Sequence, residues 1–136
     1  MQKLSKPSES IENIMFNASA NTSKPSYISN KRNIKITALP EFVDSQTSAI
    51  GDLFVWVYNI RIENNTNENV KLLNRYWKII DEKGSVQEVE GEGVIGEQPQ
   101  IPAKGSFQYS SGVHLRHPSG IMTGRYQMQK DNGELF

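Results

Sequence analysis

Apolar and polar residues alternate with a period of two over much of the chain, which is typical of β-strands that bury one face. The first alternating run starts after Asn33 and ends at Pro40, because proline cannot donate a hydrogen bond to a ladder. A longer run follows the polar loop that Gly51 closes. One face of this run carries Phe54, Trp56, Tyr58, Ile60 and Ile62. The alternation predicts a long strand whose aromatic face packs in the core.

Turn-forming clusters separate the runs that follow. Residues 64–69 form one such cluster, and the strand predicted over residues 70–80 ends at a turn over residues 81–84, after which residues 85–90 return as a hairpin partner. Residues 91–102 are rich in glycine and proline and are predicted to be a loop. Two further strands carry alternating positions: Phe107, Tyr109 and Ser111, then Met122, Gly124, Tyr126 and Met128. Short strands without an amphipathic helix predict an all-β sandwich.

Residues 1–32 have a different composition, dominated by Ser, Asn, Lys and Pro. Their apolar cluster is Ile11, Ile14, Met15 and Phe16. So small a cluster buries too little surface to offset the entropy of ordering the segment. We therefore expect a flexible, disordered extension over residues 1–32 and a folded domain over residues 33–136. An alternative reads Ile11, Ile14 and Met15 as one amphipathic helical turn that docks on a partner, but a frayed tail is favoured.

The C-terminal end looks unfinished. Asp131, Asn132 and Gly133 are a strong hairpin signal, yet only three residues follow them. The closing strand of the sandwich is therefore expected to be incomplete, which leaves the strand over residues 121–130 with an open edge. Either the chain is truncated here or another chain completes the edge, as in a homodimer, because an open edge templates pairing with another strand.

Composition excludes several classes of protein. Lys plus Arg and Asp plus Glu both number 15, so the charge favours neither nucleic acid nor an anionic membrane as a partner. The absence of cysteine excludes disulfides and thiolate zinc sites, and it fits a reducing compartment. No apolar run approaches the roughly 18 residues of a membrane span. We expect a soluble, cytoplasmic protein without a cofactor.

Several runs resemble the ApaG domain family, in the same order along the chain. They are LLNRYWKIID at residues 72–81, VQEVEGEGVIGEQP at 86–99, FQYSSG at 107–112 and PSGIMTGRYQM at 118–128. The resemblance covers about residues 33–136, and it implies a fibronectin type III or immunoglobulin-like sandwich. It also implies a binding module, since such domains stand alone in bacteria and are appended to larger eukaryotic proteins, and an association with cobalt and magnesium efflux. The long polar N-terminus departs from the family, as does Tyr76 where many members carry His.

The run from Gly91 to Gly96 matches the spacing G-x-G-x-x-G of dinucleotide-binding loops. Pro99 and Pro102 prevent a helix of useful length after it, so no helix N-terminus points at a phosphate. The nearby carboxylates would also repel a pyrophosphate; they are Glu88, Glu90, Glu92 and Glu97. We therefore favour glycines that serve turns with positive φ. The same loop offers a weak divalent-cation site, with Glu88, Glu90 and Glu92 as its candidate ligands.

Other candidate residues favour structural roles. His114 and His117 are three apart, a spacing that does not return to one face of a strand, so we interpret them as surface or loop histidines. No nucleophile-elbow spacing surrounds Ser110 or Ser111. Trp77 is expected in the core, where the face of Trp56 requires large partners.

The sequence thus predicts a non-catalytic module that acts through contacts with an unidentified protein. Its expected surface comprises Arg75, Glu88, Gly91, Glu92, Gly93, Gly96 and Glu97. The alternative is a small-ligand binder of a divalent cation or a phosphorylated metabolite through the glycine-rich acidic loop.

Overall fold

The computed structural model describes residues 9–17, 26–48 and 50–136. Strands dominate this part of the chain, with one short 3-10 turn at Asp44–Gln46 between the third and fourth strands. The strands are β1 (Glu9–Asn17), β2 (Tyr27–Lys31), β3 (Ile34–Phe42), β4 (Phe54–Asn64), β5 (Val70–Asp81), β6 (Val86–Glu92), β7 (Gln100–Ile101), β8 (Ser106–Leu115) and β9 (Ser119–Lys130). No helix in these ranges is long and apolar enough to cross a bilayer.

The strands form two antiparallel sheets. The first sheet has the order β1-β9-β5-β6, with the short β7 paired beside one end of β5. The second has the order β2-β3-β4-β8. Their inner faces share one hydrophobic cluster to which both sheets contribute. The predicted all-β sandwich is therefore confirmed.

Aromatic side chains fill the centre of the sandwich. Trp56 and Tyr58 are buried on the inner face of β4, as the alternation predicts. Trp77 of β5 is fully buried, and its ring centroid lies 5.9 Å from that of Tyr58 and 5.8 Å from that of Tyr126. The hydroxyls of Tyr109 and Tyr126 lie 2.6 Å apart, and burial raises the pKa of both phenols, so they stay protonated at neutral pH. The core assignments of Trp56 and Trp77 are confirmed.

The prediction of a disordered extension over residues 1–32 is wrong where the structure describes that segment. β1 pairs with β9, from Glu9 opposite Tyr126 to Asn17 opposite Ser119, and β2 pairs with β3. Ile14 and Phe16 are fully buried while Met15 is exposed. This is the period of a strand, so the alternative of an amphipathic helical turn is wrong too. Residues 1–8 and 18–25 lie outside the described ranges.

The expected open edge of β9 is also absent from the described structure. β5 pairs along one side of β9, and β1 pairs along the other as far as Tyr126. Past that point the C-terminal residues fold back, and Phe136 and Met128 exchange two backbone hydrogen bonds of 2.7 and 2.9 Å. β9 is thus an interior strand, which removes the reason for expecting a homodimer through this edge.

Asn64 ties the turn after β4 to the loop beyond β7. It is fully buried, and its Nδ2 donates to the carbonyl oxygens of Glu68 at 2.8 Å, Ile101 at 3.0 Å and Pro102 at 3.1 Å. Its Oδ1 accepts from the backbone N–H of Thr66 at 3.1 Å and from the hydroxyl of Thr66 at 2.6 Å. A buried amide so fully bonded fixes the loops at this end of the sandwich.

Candidate functional site

The glycine-rich segment after β6 is a two-residue hairpin. The N–H of Val94 donates to the carbonyl of Glu97 at 2.8 Å, and the N–H of Glu97 donates back to Val94 at 2.9 Å. Both residues between them are left-handed, with φ of 44° at Ile95 and 80° at Gly96. This is the conformation of a type I′ turn. The prediction that these glycines serve positive φ is confirmed for Gly96 and for Gly93, whose φ is 61°.

Three amides of this loop donate within the domain itself. The N–H of Gly93 donates to the carbonyl of Leu73 at 2.7 Å, and those of Val94 and Glu97 close the hairpin. A Cβ on Gly93 would overlap the carbonyl oxygen of Glu97. The chain then enters β7, so no helix in the described residues begins at the motif. The G-x-G-x-x-G spacing therefore builds a hairpin here, and not the helix N-terminus that binds a dinucleotide.

Ile95 stands at the tip of the hairpin in an unusual conformation. A β-branched residue at positive φ is strained, because its Cβ crowds the backbone. Its side chain nevertheless remains 57% exposed, so burial in this domain does not offset that strain. Sequence reasoning missed Ile95 as a site residue, since the first central position of a type I′ turn normally carries Asn, Asp or Gly.

Arg75 supports the loop from β5. Its Nη1 donates to the carbonyl oxygens of Gly93 at 2.7 Å and Glu92 at 3.2 Å. Gly91 lies directly across the strand pair from Arg75, and a Cβ there would sit 3.4 Å from Nη1. Gly91 thus leaves room for the guanidinium to reach the loop carbonyls. Arg75 is a positioning residue for the loop, where the sequence suggested a partner contact.

The acidic side chains of β6 spread along the strand. Glu88, Glu90 and Glu92 alternate with Val89 and Gly91, so they share the outer face at intervals of about 6.6 Å. Glu88 accepts a 3.0 Å hydrogen bond from the Tyr76 hydroxyl. Burial and this bond raise the pKa of Tyr76. Among the described residues no three His, Cys, Asp or Glu side chains converge on a point where a metal could bind, so the candidate ligands Glu88, Glu90 and Glu92 are not brought together.

The two histidines lie away from this loop and have separate contacts. His117 Nδ1 lies 3.1 Å from Asp81 Oδ2, and Asp81 Oδ1 accepts from the N–H groups of Lys83 at 2.9 Å and Ser85 at 3.0 Å. Burial alone would raise the pKa of Asp81, but the bonds from His117 and the two amides outweigh it and lower this pKa. The carbonyl of His114 accepts a 2.9 Å bond from Gln87 Nε2.

Two packed antiparallel sheets, with an acidic edge strand and a two-residue hairpin on the first sheet, define an all-β sandwich domain. The chain belongs to the ApaG domain family, whose model matches residues 44–130. The family interpretation from the sequence is confirmed.

Two curated relatives and two solved structures place the chain among its neighbours. It is 48% identical to Protein ApaG of Agrobacterium fabrum and 47% identical to that of Rhizobium etli, in each case over 77% of this chain and 81% of the relative. The crystal structure of a Bordetella pertussis protein described as ApaA is similar, with a TM-score of 0.74 and 32% identity over 85% of this chain and 89% of that one. An X-ray structure of a structural genomics target gives a TM-score of 0.71 and 39% identity, over 76% and 78%.

Proposed function

We propose that the domain is a non-catalytic binding module that acts through protein–protein contacts. The partner surface combines β6 with the hairpin loop, and we call it the acidic edge surface. It consists of Val86, Glu88, Val89, Glu90, Glu92, Ile95 and Glu97.

The observation that carries this proposal is the exposed Ile95 at φ 44°. Strained residues persist where the surrounding structure enforces them, and they cluster at functional sites. Here the loop is held by Arg75 and by the backbone bonds of Gly93. In a rigid loop that presents an isoleucine to solvent, that side chain is well placed to act as an apolar anchor in a pocket of a partner.

The association with cobalt and magnesium homeostasis belongs to the same proposal, as an effect exerted through a partner protein. Carboxylates about 6.6 Å apart on a strand do not surround one ion, which requires several oxygen ligands at about 2.0–2.6 Å. The loop amides of Gly93, Val94 and Glu97 already have carbonyl partners, so they are not available to a phosphorylated metabolite. These features favour the protein-binding function over the small-ligand alternative.

Site-specific photo-crosslinking tests the proposal. A photoreactive benzophenone amino acid replaces Ile95 in one sample and Leu39 in a control, because Leu39 is an exposed apolar residue on β3 of the other sheet. After irradiation in lysate of the source cells, we expect discrete adducts from position 95 and not from position 39. Equal adducts at both positions, or none at position 95, would contradict the proposal.

A second variant separates binding from folding. Ile95→Asn places a residue that tolerates positive φ at the tip, so we expect it to raise the melting temperature while it weakens capture of the crosslinked protein. Ile95→Ala, which keeps the unfavourable φ, is the matched control. Unchanged capture by both variants would exclude Ile95 as an anchor.

A further inference from the structure

The hydrogen bonds at the two ends of the β5–β6 pair fix which backbone groups of β6 face outward. The backbone N–H of Asp81 donates to the carbonyl of Ser85 at 3.0 Å at one end, and the backbone N–H of Gly93 donates to the carbonyl of Leu73 at 2.7 Å at the other. The register between them runs without a shift, from Ile80 opposite Val86 to Asn74 opposite Glu92. In an antiparallel pair, the backbone N–H and C=O groups of successive residues alternate: those of one residue bond to the neighbouring strand, and those of the next point away from it.

The bonded positions are therefore the odd-numbered ones. Gln87, Val89 and Gly91 direct their N–H and C=O groups at β5. The even-numbered residues direct theirs at the outer edge of the sheet, and they are Val86, Glu88, Glu90 and Glu92. The carbonyl of Glu92 already accepts from Arg75 Nη1, so the open carbonyls of this edge are those of Val86, Glu88 and Glu90. Within the described residues β6 is the last strand of its sheet, so this edge has no neighbouring strand.

β6 lacks most of the devices that usually protect an edge strand from pairing, and its protection is the charge of its three glutamates. It contains no proline, its register with β5 has no bulge, and its charges point along the outer face and not inward. Six of its seven residues are exposed, Gly91 being half-buried. The side chains of β6 therefore leave space for an added strand on both faces of the sheet.

The side chains define which strand fits. The three glutamates of β6 point to the outer face, so residues paired opposite Glu88, Glu90 and Glu92 would share that face with three carboxylates. Val89, which is 37% exposed, offers an apolar neighbour on the inner face. Opposite charges across a strand pair are favourable and like charges are not. The complementary strand alternates basic and apolar residues.

The β8 edge of the second sheet is a poorer match. The backbone N–H of Asn64 donates to the carbonyl of Gly105, in register with the β4–β8 pair, so the odd-numbered residues of β8 bond to β4. The even-numbered residues of β8 therefore direct their backbone groups at the outer edge. One of their carbonyls, at His114, is occupied by the Gln87 amide, just as that of Glu92 on β6 is occupied by Arg75, so the charge of the outward residues decides between the two edges. The outward residues before it are neutral, so they select no charge; they are Ser106, Gln108, Ser110 and Gly112.

We propose that β6 binds an extended segment of the partner protein by β-augmentation, and that this segment alternates basic and apolar residues. The inference rests on the proposed function, whose acidic edge surface it uses. Added antiparallel to β6, the segment gains main-chain bonds from Glu88 and Glu90, and its basic side chains lie against the carboxylates.

Peptides of about nine residues, within the usual length of a strand, test the proposal. The probe alternates lysine and valine, and it is compared with a glutamate–valine peptide and with a peptide of the same composition in separate lysine and valine blocks. We expect saturable binding for the alternating lysine peptide alone, with amide NMR shifts concentrated on β6. Shifts concentrated elsewhere, or equal affinity for the block peptide, would overturn it.

Methylation of peptide nitrogens isolates the main-chain bonds. In the proposed register the lysines lie opposite the outward-facing glutamates, so their N–H groups donate to β6. N-methylation at lysines should therefore weaken binding at least about tenfold, and N-methylation at valines should weaken it far less. Equal loss for both peptides would contradict the register.

A matched pair of variants tests the protein side. Glu90→Ala and Glu90→Pro remove the same carboxylate, but proline also removes an N–H that faces the free edge and spares the bonds to β5. We expect a further loss of affinity, about tenfold, for the proline variant at a similar melting temperature. If the proline variant fails to fold, the methylated peptides still decide. If position 95 gives crosslinks but the peptide does not bind, β-augmentation is rejected and the proposed protein-binding function stands. If the peptide binds but position 95 gives no crosslinks, the proposed function is rejected.

Discussion

Replacing Phe16 by alanine tests whether the N-terminal segment is part of the core. Phe16 is fully buried, and its ring centroid lies 5.2 Å from that of Trp56. Burying a phenylalanine side chain contributes about 1.5–3 kcal/mol, and the cavity left by its removal raises the cost of Phe→Ala to about 3–5 kcal/mol. For a domain of this size that loss lowers the melting temperature by roughly 10–20 °C.

The control is its neighbour on the same strand. Met15 is 51% exposed on the opposite face, so Met15→Ala should change the free energy of unfolding by no more than about 0.5 kcal/mol. Urea unfolding followed by tryptophan fluorescence measures both variants, and equal m-values would show that the denatured states are comparable. If Phe16→Ala costs no more than Met15→Ala, β1 does not pack as described, and residues 1–32 behave as the disordered extension that their composition indicates.

Three further predictions concern the rest of the fold. Gly124→Ala should cost about 1–3 kcal/mol or more by calorimetry, because a Cβ there would overlap the ring of Trp77 and the carbonyl of Tyr76. A change under about 1 kcal/mol would refute that packing. Asn64→Ala should cost about 3 kcal/mol in urea unfolding, since it leaves buried backbone groups without their partner, and a neutral result would contradict the network. The lowered pKa of Asp81 stabilises the fold above its unfolded value of 3.8, and this contribution is lost as the pH falls below it. The melting-temperature difference between the wild type and Asp81→Asn should therefore be larger at pH 7 than at pH 3, and equal differences would be the contrary result.

The interior strands could be predicted from the sequence because their local signal is strong. β4 places large apolar residues at every second position over most of its length, which is typical of a strand with one buried face. β5 is rich in Leu, Tyr, Trp and Ile and lies between two turn-forming clusters. β1 gives no comparable signal. Its partner β9 lies more than a hundred positions along the chain, and Ile14 and Phe16 gain their burial only from that distant pairing. The composition of a segment does not reveal that a strand from a distant part of the chain will pair with it.

The candidate site divides in the same way. Positive φ at Gly93 and Gly96 could be predicted, since glycine is the residue that adopts it without strain. The role of Arg75 could not, because it depends on Gly91 standing opposite in the register of β5 and β6. Ile95 contradicts the local rule for its own turn, and only the fold shows that it is held there.

Amide hydrogen exchange along β6 tests the central claim, that the acidic edge surface is where a partner binds. In the free protein the N–H groups of Glu88, Glu90 and Glu92 should exchange rapidly while those of Gln87, Val89 and Gly91 are protected by β5. In complex with the protein captured at position 95, the three glutamate amides should become protected as well. Unchanged exchange at these three amides in the complex, with new protection on another strand, would contradict the account.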